Sequence, residues 1–245
     1  MKIPIRERRL RWLGLKLGLV VGFSGAAGLV LPEAVLAEQP SPSSTIRVRV
    51  SNYSRASDRV LASAEHEANR IFGRAGLAVV WLNCPPGHSD PVQPDSCHEA
   101  PGPTDIILRV LSAPARTKFQ DSVFGFAVYP HLASVFYDRM LKRAISDDAE
   151  FEAQFLLGCA IAHEIGHLLL GSNGHSGSGV MRARWERKQI RQAMTGALLF
   201  TPEQARLIQV EAQTRTQTRL QAAGLKEYRK MMVDYRAEPA SDSTE

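Results

Sequence analysis

The chain has 245 residues, 44% of them hydrophobic and 22% charged, a balance typical of one globular domain with or without an appendage. The formal net charge is +5, but residues 1–37 hold six Lys or Arg and two Asp or Glu, so +4 lies there and about +1 on the rest. This nearly neutral remainder excludes the basic surface on which nucleic-acid binding depends, so we expect no nucleic-acid partner.

The first 37 residues have the three parts of a secretory signal peptide. A basic leader is followed by an apolar, glycine-rich run from about Leu13 to Leu31, and the small residue Ala37 closes the pattern. The run approaches the length of a membrane span, but Lys16 interrupts it. We expect cleavage after Ala37 and a secreted or periplasmic protein, with membrane attachment only if the segment stays uncleaved.

A polar spacer at residues 38–44 precedes a region of alternating strand and helix patterns that predicts one domain at 45–200. The predicted elements are a strand at 45–50, an amphipathic helix at 58–76, strands at 77–84 and 104–111, and two aromatic-rich strands within 123–138 that break near Pro130. Residues 139–147 continue as a short helix or a loop.

The cysteines predict one disulfide. Cys84 and Cys97 flank a stretch rich in Pro, Asp and Ser that reads as a loop. In the oxidising compartment that an exported protein reaches, we expect these two cysteines to pair, which stabilises the fold by about 3 kcal/mol on the chain-entropy model. The third cysteine, Cys159, lies in an apolar helical run and is interpreted as a packing residue.

A long helix is predicted from the run FEAQFLLGCAIAHEIGHLLLG, residues 151–171, with Asp147 or Asp148 as its cap. This helix is apolar on nearly every side, so it should be the buried central helix of the domain.

A helical extension is predicted at 201–236, opened by the capping pattern of Thr201, Pro202 and Gln204. A thin apolar stripe through Leu207, Val210 and Leu220 would pack it on the domain. The last residues, 237–245, are predicted to be disordered.

The central helix contains the pattern H-E-x-x-H at His163, Glu164 and His167. Histidines four residues apart share one helix face and can bind one zinc ion. Glu164 is badly placed to be a ligand, but it can reach a metal-bound water and take its proton. Polar groups are costly to bury unpaired in an apolar helix, and a metal removes that cost. The sequence therefore predicts one catalytic Zn²⁺.

Hydrolytic zinc usually has three protein ligands, and the residues offer two candidates for the third. One is His175, because Gly171 can end the helix in a left-handed conformation and Gly174 allows a second turn. The other is Glu186, nineteen residues beyond His167, as in zincins that take a glutamate from a following helix.

The stretch HEIGHLLLGSNGHSGSGVM, residues 163–181, resembles the metzincin group of zinc endopeptidases. Their pattern is H-E-x-x-H-x-x-G-x-x-H followed by a turn with a methionine beneath the metal. Here the glycine comes one residue later and the third histidine two residues later. The resemblance, which extends to small secreted bacterial zincins with this longer motif, implies these roles: zinc ligands His163, His167 and His175, general base Glu164, and Met-turn residue Met181.

The resemblance also implies an α+β zincin fold for residues 45–200: a small twisted mixed sheet packed on a backing helix and a central active-site helix, with extra C-terminal helices. The implied activity is hydrolysis of peptide bonds in a peptide or protein substrate by a monomeric enzyme. The peptide would lie along an edge strand, either 123–130 or 133–138. Tyr129, His131 and Tyr137 are candidates for stabilising the oxyanion.

Two other functions are open on the sequence. The chain is a non-catalytic envelope zinc-binding module that retains a zincin site, or it is an intracellular peptidase acting on a repressor. The signal-peptide pattern disfavours the second of these.

Overall fold

The structure is a computed structural model that describes residues 44–86, 95–112, 123–145, 148–171 and 174–237. The predicted signal peptide at 1–37, nearly all of the spacer at 38–44 and nearly all of the tail at 237–245 lie outside the described residues. In chain order the elements are β1 Thr45–Tyr53, α1 Asp58–Arg74, β2 Ala78–Asn83, β3 Asp105–Leu111, β4 Gly125–Val128, β5 Leu132–Phe136, α2 Tyr137–Arg143, α3 Ala149–Leu170, α4 Arg187–Met194 and α5 Pro202–Ala237.

The five described strands form one mixed sheet in the order β2-β1-β3-β5-β4. Neighbouring strands are parallel except β4, which runs antiparallel to β5 and forms one edge of the sheet. The predicted break at Pro130 is confirmed, because it lies in the turn that joins these two strands. The hairpin therefore places β4 at the sheet edge nearest to α3, which both strands contact.

Helices α1 and α3 pack against each other as the predicted backing helix and central helix. Ser57 caps α1 by accepting a hydrogen bond from the backbone N–H of Val60. The two helices meet at Gly158, where a Cβ atom would lie 2.7 Å from the carbonyl oxygen of Ala64. The absence of a side chain at this position lets the helix backbones approach closely.

Asp148 is the N-cap of the central helix α3, and its carboxylate accepts a hydrogen bond of 3.0 Å from the backbone N–H of Phe151. In the described part of the chain, α3 alone is long and apolar enough to cross a membrane, yet 89% of its apolar window is buried inside the fold. Its hydrophobicity is therefore explained by its position in the core. The predicted α+β architecture, a mixed sheet with a backing helix, a central helix and further C-terminal helices, is confirmed.

Two short helices flank this core. Residues 137–143 form α2, so the helical alternative for this region is confirmed. The sequence predicted no helix at Arg187–Met194, yet α4 forms there behind a capping box between Glu186 and Gln189. The spacing of these two residues is the signal that could have revealed it.

Helix α5 begins at the predicted capping box, with the Gln204 N–H donating to Thr201 Oγ1 at 3.2 Å. The predicted packing stripe is wrong, because Leu207, Val210 and Leu220 are 52%, 60% and 65% exposed. The buried face instead contains Ile208, Ala212 and Arg215. Hydrophobic periodicity missed this face because one of its members is an arginine.

Arg215 fastens α5 to the core by hydrogen bonds to backbone oxygens. Its guanidinium donates to the carbonyl of Leu168 at 3.1 Å and to that of Pro130 at 3.3 Å, and its Nε lies 2.8 Å from Glu211. Leu168 lies in the last turn of α3 and Pro130 in the β4–β5 turn. One buried cation therefore holds together three elements.

The cysteine predictions are confirmed. Cys84 and Cys97 form a disulfide with their Cα atoms 5.7 Å apart, although residues 87–94 of the loop they close lie outside the described residues. Cys159 is fully buried with its Sγ 3.9 Å from Glu67 Oε1, which fits a packing role.

A second polar anchor joins β1 to β3. The carboxylate of Asp105 accepts hydrogen bonds from Arg47 Nε at 2.7 Å and Arg49 at 2.6 Å, and from the Gly102 N–H at 2.9 Å. Burial alone raises the pKa of Asp105, but these donors outweigh it and hold the pKa below its ordinary value.

Candidate metal centre

Three histidines converge at the C-terminal half of α3 and the loop after it. One nitrogen from each of His163, His167 and His175 lies within 4.8 Å of the other two. The ring centroids are 4.7 Å apart for His163 and His167, and His175 lies 5.3 Å and 5.0 Å from them. The first two rings are buried and the third is exposed, so the cluster opens towards solvent on one side.

The orientation of His163 is fixed by the carbonyl of Val180, which lies 2.7 Å from Nδ1. With the Nδ1–H donating to this oxygen, the lone pair of Nε2 faces the cluster. His163 Nε2 lies 3.1 Å from His167 Nε2, close to the spacing of about 3.3 Å between two imidazole nitrogens on one tetrahedral zinc. Burial lowers the pKa of His163 to about 4, so the ring is neutral at neutral pH, as a ligand must be.

The chain returns to the helix through two left-handed glycines. Gly171 ends α3 with φ of 60°. Among the described residues between α3 and Met181, the second glycine with positive φ is Gly179, at 72°, and not Gly174. The N–H of Ser176, next to His175, donates to the carbonyl of Met181 at 2.9 Å. The loop that carries the third histidine is therefore tied to the turn that carries the methionine.

Met181 is fully buried. A Cβ atom on Gly166 would lie 2.7 Å from the Met181 sulfur, so the thioether contacts the helix backbone at this glycine. The predicted Met-turn residue thus packs on the helix that presents two of the three histidines.

Glu164 is 5% exposed and lies in the same cleft as the histidines. Burial raises the pKa of its carboxyl to about 8. Strand β4 passes so close that a Cβ atom at Gly125 would lie 2.8 Å from Glu164 Oε1 and would overlap the carbonyl oxygen of Ser134. The sequence analysis missed Gly125, although a glycine inside a strand often marks a close approach of this kind.

The cleft has a volume of about 320 Å³. Its walls are β4 with the residues before it on one side and the segment 182–185 on the other, with α3 between them. Of the two predicted edge segments, 123–130 contains the edge strand β4, whereas 133–138 contains β5, which lies one strand further in. The rings of Phe124 and Trp185, 5.5 Å apart, link the two walls.

Several candidate residues lie away from the cluster. Tyr129 is 67% exposed, Tyr137 is buried in the core, and His131 Nδ1 lies 2.8 Å from the carbonyl of Asp105. None of these three lines the cleft. Glu186, the alternative third ligand, is the N-cap of α4, and its backbone N–H donates to Gln189 Oε1 at 3.1 Å. The structure brings His175, not Glu186, to the histidine pair.

Comparison with known proteins gives limited similarity. No family model matches the chain, and no curated protein matches it. Among solved structures the chain is similar to the crystal structure of archaemetzincin from Methanopyrus kandleri, with 17% sequence identity and a TM-score of 0.45, over 69% of this chain and 96% of that one. At this level of similarity the chain's own residues are what indicate its chemistry.

Proposed function

We propose that the chain is an exported, zinc-dependent metallopeptidase that hydrolyses peptide bonds. His163, His167 and His175 would hold the metal, and Glu164 would be the general base. The observation that carries this proposal is that the buried carboxyl of Glu164 opens onto the same cleft as the three histidine nitrogens. A site that only stores metal has no need of an acid in that position.

The donor set fits zinc. Three imidazole nitrogens are preferred by zinc over the hard cations calcium and magnesium, which take oxygen ligands. The Val180 carbonyl fixes the His163 ring, as is common for histidines that bind metals. Zinc bound there would acidify water and polarise the carbonyl of a scissile bond.

Glu164 supplies the proton transfers. Its carboxylate form takes a proton from the attacking water, and the resulting acid delivers that proton to the leaving amine. The backbone of β4 at Gly125 covers this side chain, so the transfers occur away from bulk water. The glycine leaves just enough room for the carboxyl between α3 and the sheet edge.

The edge strand β4 supports binding of an extended peptide. Among the described strands it pairs with β5 alone, and it borders the cleft. An unpaired strand edge presents backbone N–H and C=O groups that can pair with a peptide as a further strand. The scissile bond would then lie above the histidines and Glu164.

The proposals on location and partners rest on the sequence pattern. Residues 1–37 support export with cleavage after Ala37, to the periplasm or the medium, and retention of this segment would anchor the protein in a membrane. The nearly neutral remainder supports the absence of a nucleic-acid partner. We also propose that the protein acts as a monomer.

The proposal is tested by incubating zinc-loaded wild type, Glu164→Gln and His66→Gln with a random peptide library and identifying the products by mass spectrometry. His66 is an exposed histidine on α1 and serves as the control. We expect cleavage by wild type and the control, and none by Glu164→Gln, although all three bind zinc equally. If zinc-loaded wild type cleaves no peptide, the non-catalytic zinc-binding alternative is favoured.

A further inference from the structure

The cleft contains an arginine that the peptidase mechanism does not use. Arg182 directly follows Met181 and lines the cleft opposite β4, together with Ala183 and Trp185. Its side chain is half-buried. Its guanidinium donates to the carbonyl of Gly177 over a long 3.4 Å, and no carboxylate of the described residues lies within ion-pair distance of it.

Four other arginines of the described chain that are half-buried or buried have carboxylate partners, whereas the buried Arg139 donates to the carbonyl of Val123 and lies over the Phe136 ring. The pairs are Arg47 and Arg49 with Asp105, Arg70 with Glu67, and Arg215 with Glu211. A guanidinium in a cleft, partly shielded from water and without an acid partner, is suited to bind an anion from outside the chain.

Among the residues that line the cleft, Glu164 is the one acid that could pair with Arg182. Apart from Glu164 and the three histidines, the residues around Arg182 in the cleft are apolar or glycine. Glu164 lies on α3 and makes no ion pair with Arg182. A carboxylate that enters with a ligand is therefore the natural partner of this guanidinium.

The backbone of Arg182 is fixed relative to the histidines. Its N–H donates to the carbonyl of Gly179 at 3.3 Å, and Ser176 and Arg182 form a bridge between the two arms of the turn. Ser176 directly follows His175 in the chain. The turn that presents the third histidine therefore also fixes the backbone position from which the Arg182 side chain extends.

We propose that Arg182 binds a carboxylate of the substrate, so that the cleft selects peptides with an acidic group close to the scissile bond. This inference rests on the proposed peptidase function and names its substrate class. The carboxylate has two sources in a peptide, the side chain of Asp or Glu and a free C-terminus. A planar guanidinium can bind either by two parallel hydrogen bonds.

The test uses zinc-loaded wild type, Arg182→Gln, Arg182→Glu and the control Arg184→Gln, with peptides that differ in single groups. Arg184 is exposed and does not line the cleft. One set of peptides exchanges Glu for Gln or Lys at each position around the cleaved bond, and a second set exchanges a free C-terminal carboxylate for an amide. The measured quantity is the ratio of kcat/KM between the members of each pair.

We expect wild type and Arg184→Gln to prefer the acidic member about tenfold at one position, since a good charge-assisted pair contributes about that factor. Arg182→Gln brings the ratio close to one, and Arg182→Glu turns the preference towards Lys. A purely structural role of Arg182 would lower all rates without inverting the preference. The peptide set that responds identifies whether a side chain or a C-terminus is bound.

An equal ratio for the acidic and neutral peptides in wild type would overturn the inference, as would a preference that survives in Arg182→Gln. If wild type cleaves no peptide, the proposed peptidase function fails. Carboxylate binding by Arg182 is then tested separately, by measuring retention of the same peptides on immobilised wild type. Retention of acidic peptides that is lost in Arg182→Gln supports carboxylate binding, and equal retention of all peptides refutes it.

Discussion

Gly125 on β4 and Glu164 on α3 approach so closely that a methyl group on the glycine would lie 2.8 Å from a carboxyl oxygen of the glutamate. The edge of the sheet thus forms a wall against the side chain that we propose as the general base. The contact joins two features on which the proposed peptidase function depends, a strand edge for the peptide and an acid beside the three histidines.

This contact predicts that Gly125→Ala lowers kcat/KM at least tenfold and the free energy of unfolding by about 1–3 kcal/mol, because the new methyl group displaces Glu164 or the strand. Enzyme assays and chemical denaturation measure the two effects. Gly73→Ala is the matched control, since a Cβ atom there meets nothing within 4 Å. A Gly125→Ala protein with wild-type activity would show that this approach is not tight in solution.

The burial of Met181 predicts a difference between two substitutions. Met181→Ala removes a fully buried side chain and is expected to lower the free energy of unfolding by about 2–5 kcal/mol, whereas Met181→Leu keeps the volume and costs less than about 1.5 kcal/mol. Urea denaturation of both variants measures this. Equal effects of the two substitutions would contradict a packing role for the thioether beneath α3.

Arg215→Met tests the attachment of α5. The substitution leaves the carbonyls of Leu168 and Pro130 without this donor, so we expect a loss of about 2–5 kcal/mol in the free energy of unfolding. Arg219→Met, one turn further along the helix where the side chain is exposed, should change it by less than about 0.5 kcal/mol. If both variants unfold like wild type, the buried guanidinium does not stabilise the junction.

The carboxylate of Asp105 predicts a pH dependence of stability. The pKa of Asp105 is lowered in the folded state. At pH values near and below the unfolded pKa, the folded protein therefore binds fewer protons at this residue than the unfolded chain does. The contribution is complete above the unfolded pKa of about 3.9 and is lost as pH falls through the lower native pKa.

Asp105→Asn should therefore be destabilised by about 3–5 kcal/mol at pH 7, because Arg49 is left buried without its charge partner. The difference from wild type should shrink as the pH falls below about 4. Denaturation curves across this range measure it, with Glu227→Gln on the exposed part of α5 as the control. A difference in the free energy of unfolding that stays constant down to the lowest pH would show that the ionised Asp105 does not stabilise the folded state.

Local sequence patterns predicted the features that depend on local geometry. The spacing of His163 and His167 places both rings on one face of any helix, and Cys84 and Cys97 lie at the ends of one loop. The break at Pro130 likewise separates two strands whatever the rest of the fold does. The mixed sheet with a backing helix and a central helix is implied by the resemblance to metzincins, and the order of the predicted elements agrees with it.

The residues that the sequence analysis missed are placed by tertiary contacts. Gly125 meets Glu164 because β4 pairs with β5 in one register, and no local pattern contains that register. Arg182 lines the cleft because the turn after His175 folds back to α3. The packed face of α5 was misassigned because Arg215 acts through hydrogen bonds to carbonyls, which hydrophobic periodicity does not record.

Glu186 shows how one signal can support two interpretations. As an acidic residue downstream of H-E-x-x-H it was a candidate ligand. Its spacing to Gln189 equally fits a capping box, and the structure has that box. A pattern of residue types could not distinguish these roles, because the distinction depends on where α4 lies relative to the histidines.

The central claim is that three histidines, His163, His167 and His175, form one metal centre, and zinc binding tests it most directly. Stoichiometry and affinity are measured on purified wild type, His175→Ala and Glu186→Ala by titration with zinc. The account predicts one zinc per wild-type chain, the same affinity in Glu186→Ala, and an affinity lowered at least a hundredfold in His175→Ala. Full affinity in His175→Ala together with its loss in Glu186→Ala would contradict the account.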